Sequence, residues 1–206
     1  MNKVKLRLPV FFLFIMALVV LPVLTYKFVS SEPEELVEET MDEIIESDLP
    51  VISNTTTIIN PYLDQSVTIK KGYYEPTSDE DTQISSIIKH DNTYIQNTGI
   101  DYVGENVFDV VSILNGVVIN VTEDEELGKT VEIRHDNGMI SIYQSLSEVY
   151  VKKDEGLAQG TIIGKSGENK IDKDLGNHLH FEIYDNGQAV NPENYLNKEI
   201  STTKEN

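Results

Sequence analysis

Three Asn-Gly dipeptides, at 115–116, 137–138 and 186–187, each sit between two short runs rich in Val, Ile, Thr and Tyr. Asn-Gly accepts the positive φ angles of a type I′ turn, so each site predicts a β-hairpin. The runs cover residues 66–70, 107–114, 117–121, 130–134, 139–146 and 178–184. Gly156, Gly160, Gly164 and Gly167 punctuate a further stretch of short strands and tight turns. Beyond residue 49 only a short helical pattern near 82–89 interrupts them. The expected class is mostly β, an antiparallel sheet or sandwich with two packed sheets.

A different pattern precedes this. Residues 8–26 carry no charge, and at 1.5 Å per residue these 19 residues reach about 28 Å, close to a bilayer core. A signal peptide would have a shorter apolar region followed by small residues. Here Tyr26-Lys27-Phe28 follows, so the run reads as an uncleaved transmembrane helix, taken as residues 8–29, with a kink at Pro22. Lys3, Lys5 and Arg7 lie before it, and residues 32–48 hold nine acids and no base. The positive-inside rule then leaves residues 1–7 in the cytoplasm and everything past the span outside. Residues 30–50 read as an acidic juxtamembrane helix. Ser31 with Glu34 fits a capping box, and Leu36, Val37, Met41, Ile44 and Ile45 share one face.

The net charge is −19, with 16 Lys and Arg against 35 Asp and Glu. That excludes a nucleic-acid ligand, which such a surface would repel. The absence of cysteine excludes a disulfide scaffold, a thiolate zinc finger and a cysteine nucleophile. Gly164-Lys165-Ser166 matches the end of a phosphate-binding loop. Position 159 is Gln159 rather than the required glycine, and no helical pattern follows, so a nucleotide site is not expected.

The four histidines, His90, His135, His178 and His180, carry most of the chemical information. In His178-Leu179-His180-Phe181-Glu182-Ile183 the alternation is strict. Leu179, Phe181 and Ile183 should face the core, and His178, His180 and Glu182 the opposite side. Two imidazoles side by side suit one metal ligand and one proton carrier. His135, next to Asp136-Asn137-Gly138, reads as an exposed hairpin residue without chemistry. Glu182 either orients His178 or is solvated.

Asn177-His178-Leu179-His180-Phe181-Glu182-Ile183, then Gly187 and Val190-Asn191-Pro192-Glu193-Asn194-Tyr195-Leu196, resembles the C-terminal signature of the M23 peptidases. These are lysostaphin- and LytM-like zinc endopeptidases of peptidoglycan. Gly99-Ile100-Asp101 is similar to the end of that family's His-x-Gly-x-Asp, and Tyr143-Gln144-Ser145-Leu146 to its Tyr-x-His-Leu. The resemblance runs in order over about residues 94–196, and implies a LytM-type β domain there. Residues 51–93 would be its extracytoplasmic N-terminal part, residues 94–197 the LytM-like domain, and residues 198–206 a disordered tail.

The same resemblance implies a damaged site. The three metal-ligand positions fall on Asn97, Asp101 and His180, and the two catalytic histidine positions on Ser145 and His178. One ligand and one proton-handling group are missing, whereas a hydrolytic zinc site normally has three protein ligands and an open water position. The expectation is a pseudo-peptidase with no resident cofactor and at most weak zinc binding through Asp101 and His180. A residual zinc endopeptidase acting on peptidoglycan is the alternative, with His90 the only spare histidine upstream of Asn97. A serine hydrolase built from Ser145, His178 and Asp101 is a distant third. Residues 92–101 and 143–147 also resemble a sporulation branch of the family. Its members are single-pass proteins of the forespore membrane in endospore formers. That resemblance implies a binding scaffold whose partner is the membrane-anchored AH protein of the stage III sporulation complex, across the intermembrane space. Peptidoglycan is the second candidate ligand.

Overall fold

The β-branched runs become strands, and the turn residues between them set how those strands pair. The computed structural model describes residues 55–201. The expected span over 8–29 and the helical linker over 30–50 lie outside the described residues. Among the described residues no helix is long and apolar enough to cross a membrane. In chain order the elements are β1 (Thr55–Thr57), β2 (Thr68–Lys71), α1 (Glu80–Ser85), β3 (Ile87–His90), β4 (Thr93–Gln96), β5 (Ile100–Val103), β6 (Asp109–Val111), β7 (Gly116–Asp124), β8 (Gly128–His135), β9 (Ile140–Val149), β10 (Gly156–Leu157), β11 (Ile162–Ser166), β12 (Leu179–Asp185), β13 (Gln188–Val190) and β14 (Glu199–Ser201).

Ten strands form one antiparallel sheet in the order β10-β7-β8-β9-β12-β5-β2, with β13 against β12, and β11 bridging β9 and β6. Two further ladders, β1–β14 and β3–β4, stand apart from it. The expected pair of packed sheets is therefore one branched sheet, and β9 is the branch. Its residues 140–144 pair with β12, while 146–149 pair with β11. Between the two halves Ser145 adopts φ 64° and the β11 register shifts, which bends the strand.

The core lies under β5, β8, β9 and β12, where Ile100, Ile133, Tyr143, Leu179, Phe181 and Ile183 are all fully buried. Phe181 is its centre, tilted against Tyr143 at 5.2 Å and Tyr102 at 6.5 Å between ring centroids. Burying each such side chain contributes about 1.5–3 kcal/mol.

The three Asn-Gly sites divide by mechanism. Asn186 (φ 49°) and Gly187 (φ 78°) make the expected two-residue turn between β12 and β13. Asn137-Gly138 closes the β8–β9 hairpin through a three-residue loop, with only Gly138 at positive φ (89°). Asn115-Gly116 is no hairpin turn: β6 pairs with β11, and β7 with β8 and β10. Gly116 is needed there for space, since a Cβ would lie 2.6 Å from the Arg134 carbonyl oxygen and 2.8 Å from Ile133.

The helical pattern near 82–89 is shorter than expected. Asp79 caps α1 by accepting from the Thr82 N–H at 3.0 Å, and the helix ends at Ser85, where Ile87 and Ile88 enter β3. The expected disordered tail begins too early, because Glu199–Ser201 pair with Thr55–Thr57. The expected boundary at 93/94 falls inside the β3–β4 ladder, which joins both sides of it. Gly164-Lys165-Ser166 lies within β11, where Lys165 pairs with Asp109 at 3.1 Å, so it forms no phosphate loop.

Candidate functional site

β12 carries the site between two neighbours. On one side β5 places Asp101 directly opposite His180, and on the other β9 places Gln144 opposite the same residue. The alternation along β12 holds for the core face. The other face is nearly as dry: His178 is fully buried, and His180 and Glu182 are each 7% exposed.

Asn97, Asp101 and His180 come together, and Glu182 joins them. The His180 ring donates from Nδ1 to Asp101 Oδ1 at 2.8 Å and from Nε2 to Glu182 Oε1 at 3.1 Å. Asp101 Oδ2 accepts from Asn97 Nδ2 at 2.9 Å, and Asn97 Oδ1 accepts from the Gly99 N–H at 3.1 Å. The Thr98 hydroxyl donates to Glu182 Oε1. Burial disfavours the charged ring, but hydrogen bonds and charge from Asp101 and Glu182 outweigh it and hold the His180 pKa up at about 10. Burial pushes the Glu182 carboxyl up, and the His180 contact overcomes this to leave it below its usual range. The four side chains form one continuous hydrogen-bonded knot.

The two retained ligand positions, Asp101 and His180, bond directly to each other. The two carboxylates grip opposite nitrogens of one imidazole, Asp101 at Nδ1 and Glu182 at Nε2. At the position of the missing ligand Asn97 presents N–H groups toward Asp101, with its oxygen already engaged. Among the described residues, no group of three or more His, Asp or Glu side chains is placed to hold a metal ion.

Ser145 and His178 form a second cluster. His178 Nδ1 donates to the Gly176 carbonyl at 2.7 Å, which leaves Nε2 to accept the Ser145 hydroxyl proton at 2.9 Å. Asn169 Nδ2 donates to Ser145 Oγ at 2.7 Å. Ser145 is fully buried, and Asp101 contacts His180 rather than His178, so the three residues make no hydrolytic triad. Glu182 orients His180, not His178. His90 lines a separate pocket with Lys89 and Lys170 and does not replace the missing ligand. His135 is not the exposed hairpin residue expected: it is only 3% exposed, with its ring between the Asn115 carbonyl at 3.0 Å and Ser141 Oγ at 2.7 Å.

A half-open cavity of about 210 Å³ lies beside the knot, lined by Ile88, Ile95, Leu127, Ile171, Gln96, Gln144 and Asn169 together with Asp101, His180 and Glu182. The segment between β11 and β12 forms one wall. It is held by an ion pair between Lys71 and Asp172, by the Lys170 and Ile171 N–H groups donating to the Glu126 carbonyl, and by Asn169. The sequence carried no signal for Asn169 or for the Lys71–Asp172 pair. Glu182 was visible on the histidine face, without its partner.

The model of peptidase family M23 matches residues 95–192. A chain of the SpoIIQ–SpoIIIAH pore-forming complex superposes with a TM-score of 0.68 at 37% identity, covering 70% of this chain and 93% of that one. The chain belongs to peptidase family M23. Among the M23 relatives, stage II sporulation protein Q of Bacillus subtilis (strain 168) is 38% identical over 140 residues, 67% of this chain. The chain spans 50% of that relative's length. A zinc-containing peptidase from Vibrio cholerae shares the M23 fold, with a TM-score of 0.53 at 22% identity, over 66% of this chain and 39% of the other.

Proposed function

We propose that this chain is a membrane-anchored, catalytically silent M23 protein that acts as an extracytoplasmic binding scaffold in endospore formation. It works on the forespore side of a channel or engulfment complex. Its partner is the AH protein of the stage III complex, anchored in the opposite membrane. The observation that carries this reading is the likeness, across the described domain, to a chain solved in the SpoIIQ–SpoIIIAH complex. The hydrogen-bonded knot at Asn97, Asp101, His180 and Glu182 supports the absence of catalysis and of a resident zinc. The charge-free run at 8–26, with its basic and acidic flanks, supports a single span with the N-terminus in the cytoplasm.

Two tethered partners share a high local concentration, so modest affinity suffices. The test mixes the full chain in detergent with the partner's soluble domain. A complex in size exclusion is expected. No complex at about 100 μM in low salt would refute the scaffold, because tethered partners rarely operate at weaker affinity. Protease added to right-side-out membrane vesicles carrying the chain should remove the domain, and full protection would refute the topology. The open cavity beside Asp101 and His180 favours the second reading, a weak zinc endopeptidase acting on peptidoglycan. Peptidoglycan hydrolysis by the purified chain that a chelator abolishes would install that reading in place of the first.

A further inference from the structure

We infer that the cavity beside the knot receives one lysine side chain of the partner protein. This rests on the scaffold reading and names the chemistry the partner must bring. The walls are apolar: Ile88 and Ile95 from the β3–β4 ladder, Leu127 before β8, and Ile171 from the segment after β11. The floor is ionic, with Asp101, His180 and Glu182 below and Asp172 at the side. A methylene stem against apolar walls with a cationic head at an acidic floor is the arrangement a long basic side chain requires.

Charge sets the sign of the occupant. Lys71 balances Asp172. Asp101 and Glu182 then share a single histidine. The floor carries one negative charge in excess with His180 protonated, and two with it neutral. A partly enclosed site of this kind favours a cation over an apolar or acidic group. The whole chain has the same bias, at −19, so a basic partner is also drawn to it at long range.

Lysine fits better than arginine. A guanidinium seeks two free oxygens of one carboxylate. Both Asp101 oxygens are occupied, by His180 and Asn97, and Glu182 Oε1 is taken by His180 and Thr98. A compact ammonium needs only the field of the floor and single acceptors, which the Gln96 and Gln144 carboxamides supply at the wall. Size agrees as well: a water needs about 10–15 Å³ by a comparable measure, and the cavity offers about 210 Å³, room for the stem, the head and its waters.

Two experiments on the full chain in detergent test the assignment. In the first, acetyl-Gly-Lys-Gly-amide and its norleucine counterpart are titrated by NMR. The lysine peptide should shift the amides of Leu127, Gln144 and His180 and bind at least tenfold tighter than norleucine, which keeps the stem and removes the charge. Equal responses to the two peptides overturn the inference. So does a site that answers a diamino-acid muropeptide and not the lysine peptide, which assigns the cavity to the cell wall. In the second, Leu127→Lys places a cation from this chain in the cavity, and each lysine of the partner is changed in turn to methionine. Leu127→Lys should weaken the complex at least tenfold. One partner lysine should give a similar loss that does not add to it, the signature of a shared contact. A complex that ignores Leu127→Lys, or losses that all add, overturns the lysine assignment and leaves the scaffold standing. No complex with the unaltered chain instead removes the scaffold reading itself.

Discussion

Replacing His180 with alanine tests whether the knot is an ion-paired structural element. The ring is held between Asp101, 1% exposed, and Glu182, 7% exposed, and it donates to both. Removing it leaves two buried carboxylates facing an empty site. Breaking a buried pair from one side costs about 3–5 kcal/mol. Two acids lose their cation, which pushes toward the upper figure. The donors on Asn97 and Thr98 remain and pull it back, so a loss of about 4 kcal/mol is expected. At about 2–4 °C per kcal/mol for a domain of this size, the unfolding midpoint should fall by roughly 8–16 °C. The assay is urea and thermal unfolding by circular dichroism in chelator. Its pH dependence carries a second signature. The folded pKa of about 10 lies above the unfolded value. The stabilisation from His180 is therefore complete below about pH 6.5 and fades as the pH rises toward 10. Wild type should lose stability over that window and His180→Ala should not. Adding Glu182→Gln to His180→Ala should recover part of the loss. A cost under about 1 kcal/mol, or the same alkaline profile in both proteins, would refute an ion-paired knot.

Three further outcomes follow from the same geometry. Asn97→His should raise zinc affinity by about tenfold or more in calorimetry, since it supplies the missing third ligand; an unchanged affinity would place Asn97 outside the metal position. Burial outweighs hydrogen bonding at His135 and lowers its pKa. Its stabilisation is thus present above about pH 6.5 and lost on acidification, so His135→Gln should flatten the acid limb of the urea midpoint between pH 7 and 4 relative to wild type. Gly116→Ala must push back the Arg134 carbonyl and Ile133. It should cost about 1–3 kcal/mol, and a neutral effect in urea unfolding would show that β7 and β8 can separate there.

The antiparallel β class and the core face of β12 were readable because strand periodicity is a local property. Leu179, Phe181 and Ile183 could face only one way once His178 and His180 faced the other. Asp101 lies opposite His180 because β5 pairs with β12, and Asn97 bonds to Asp101. What could not be read was set by contacts distant in the chain. Asn115-Gly116 looks like a turn until β8 is found packed against the glycine. His135 looks exposed beside Asp136-Asn137-Gly138 until the Asn115 carbonyl and Ser141 are found on its two nitrogens. Glu182 was visible as a face residue, yet its role depends on a histidine two positions away whose other nitrogen is held from β5. The branch at β9 has no signature in composition, because the bend rests on the backbone of one serine.

The pairing of β5 with β12 also fixes when the site can exist. Asp101 and His180 lie 79 positions apart, whereas β7, β8 and β9 pair through short connections. Closing so long a segment costs entropy before any contact rewards it, so the local meander has the lower barrier. As the chain emerges in order, the meander can assemble while β12 is still being made. β5 then has only β2 beside it, and Asp101 lacks His180 until β12 arrives. The knot is thus a late checkpoint in folding: amide protection at His180 should appear after protection in β8, and it reports that the domain has closed from end to end.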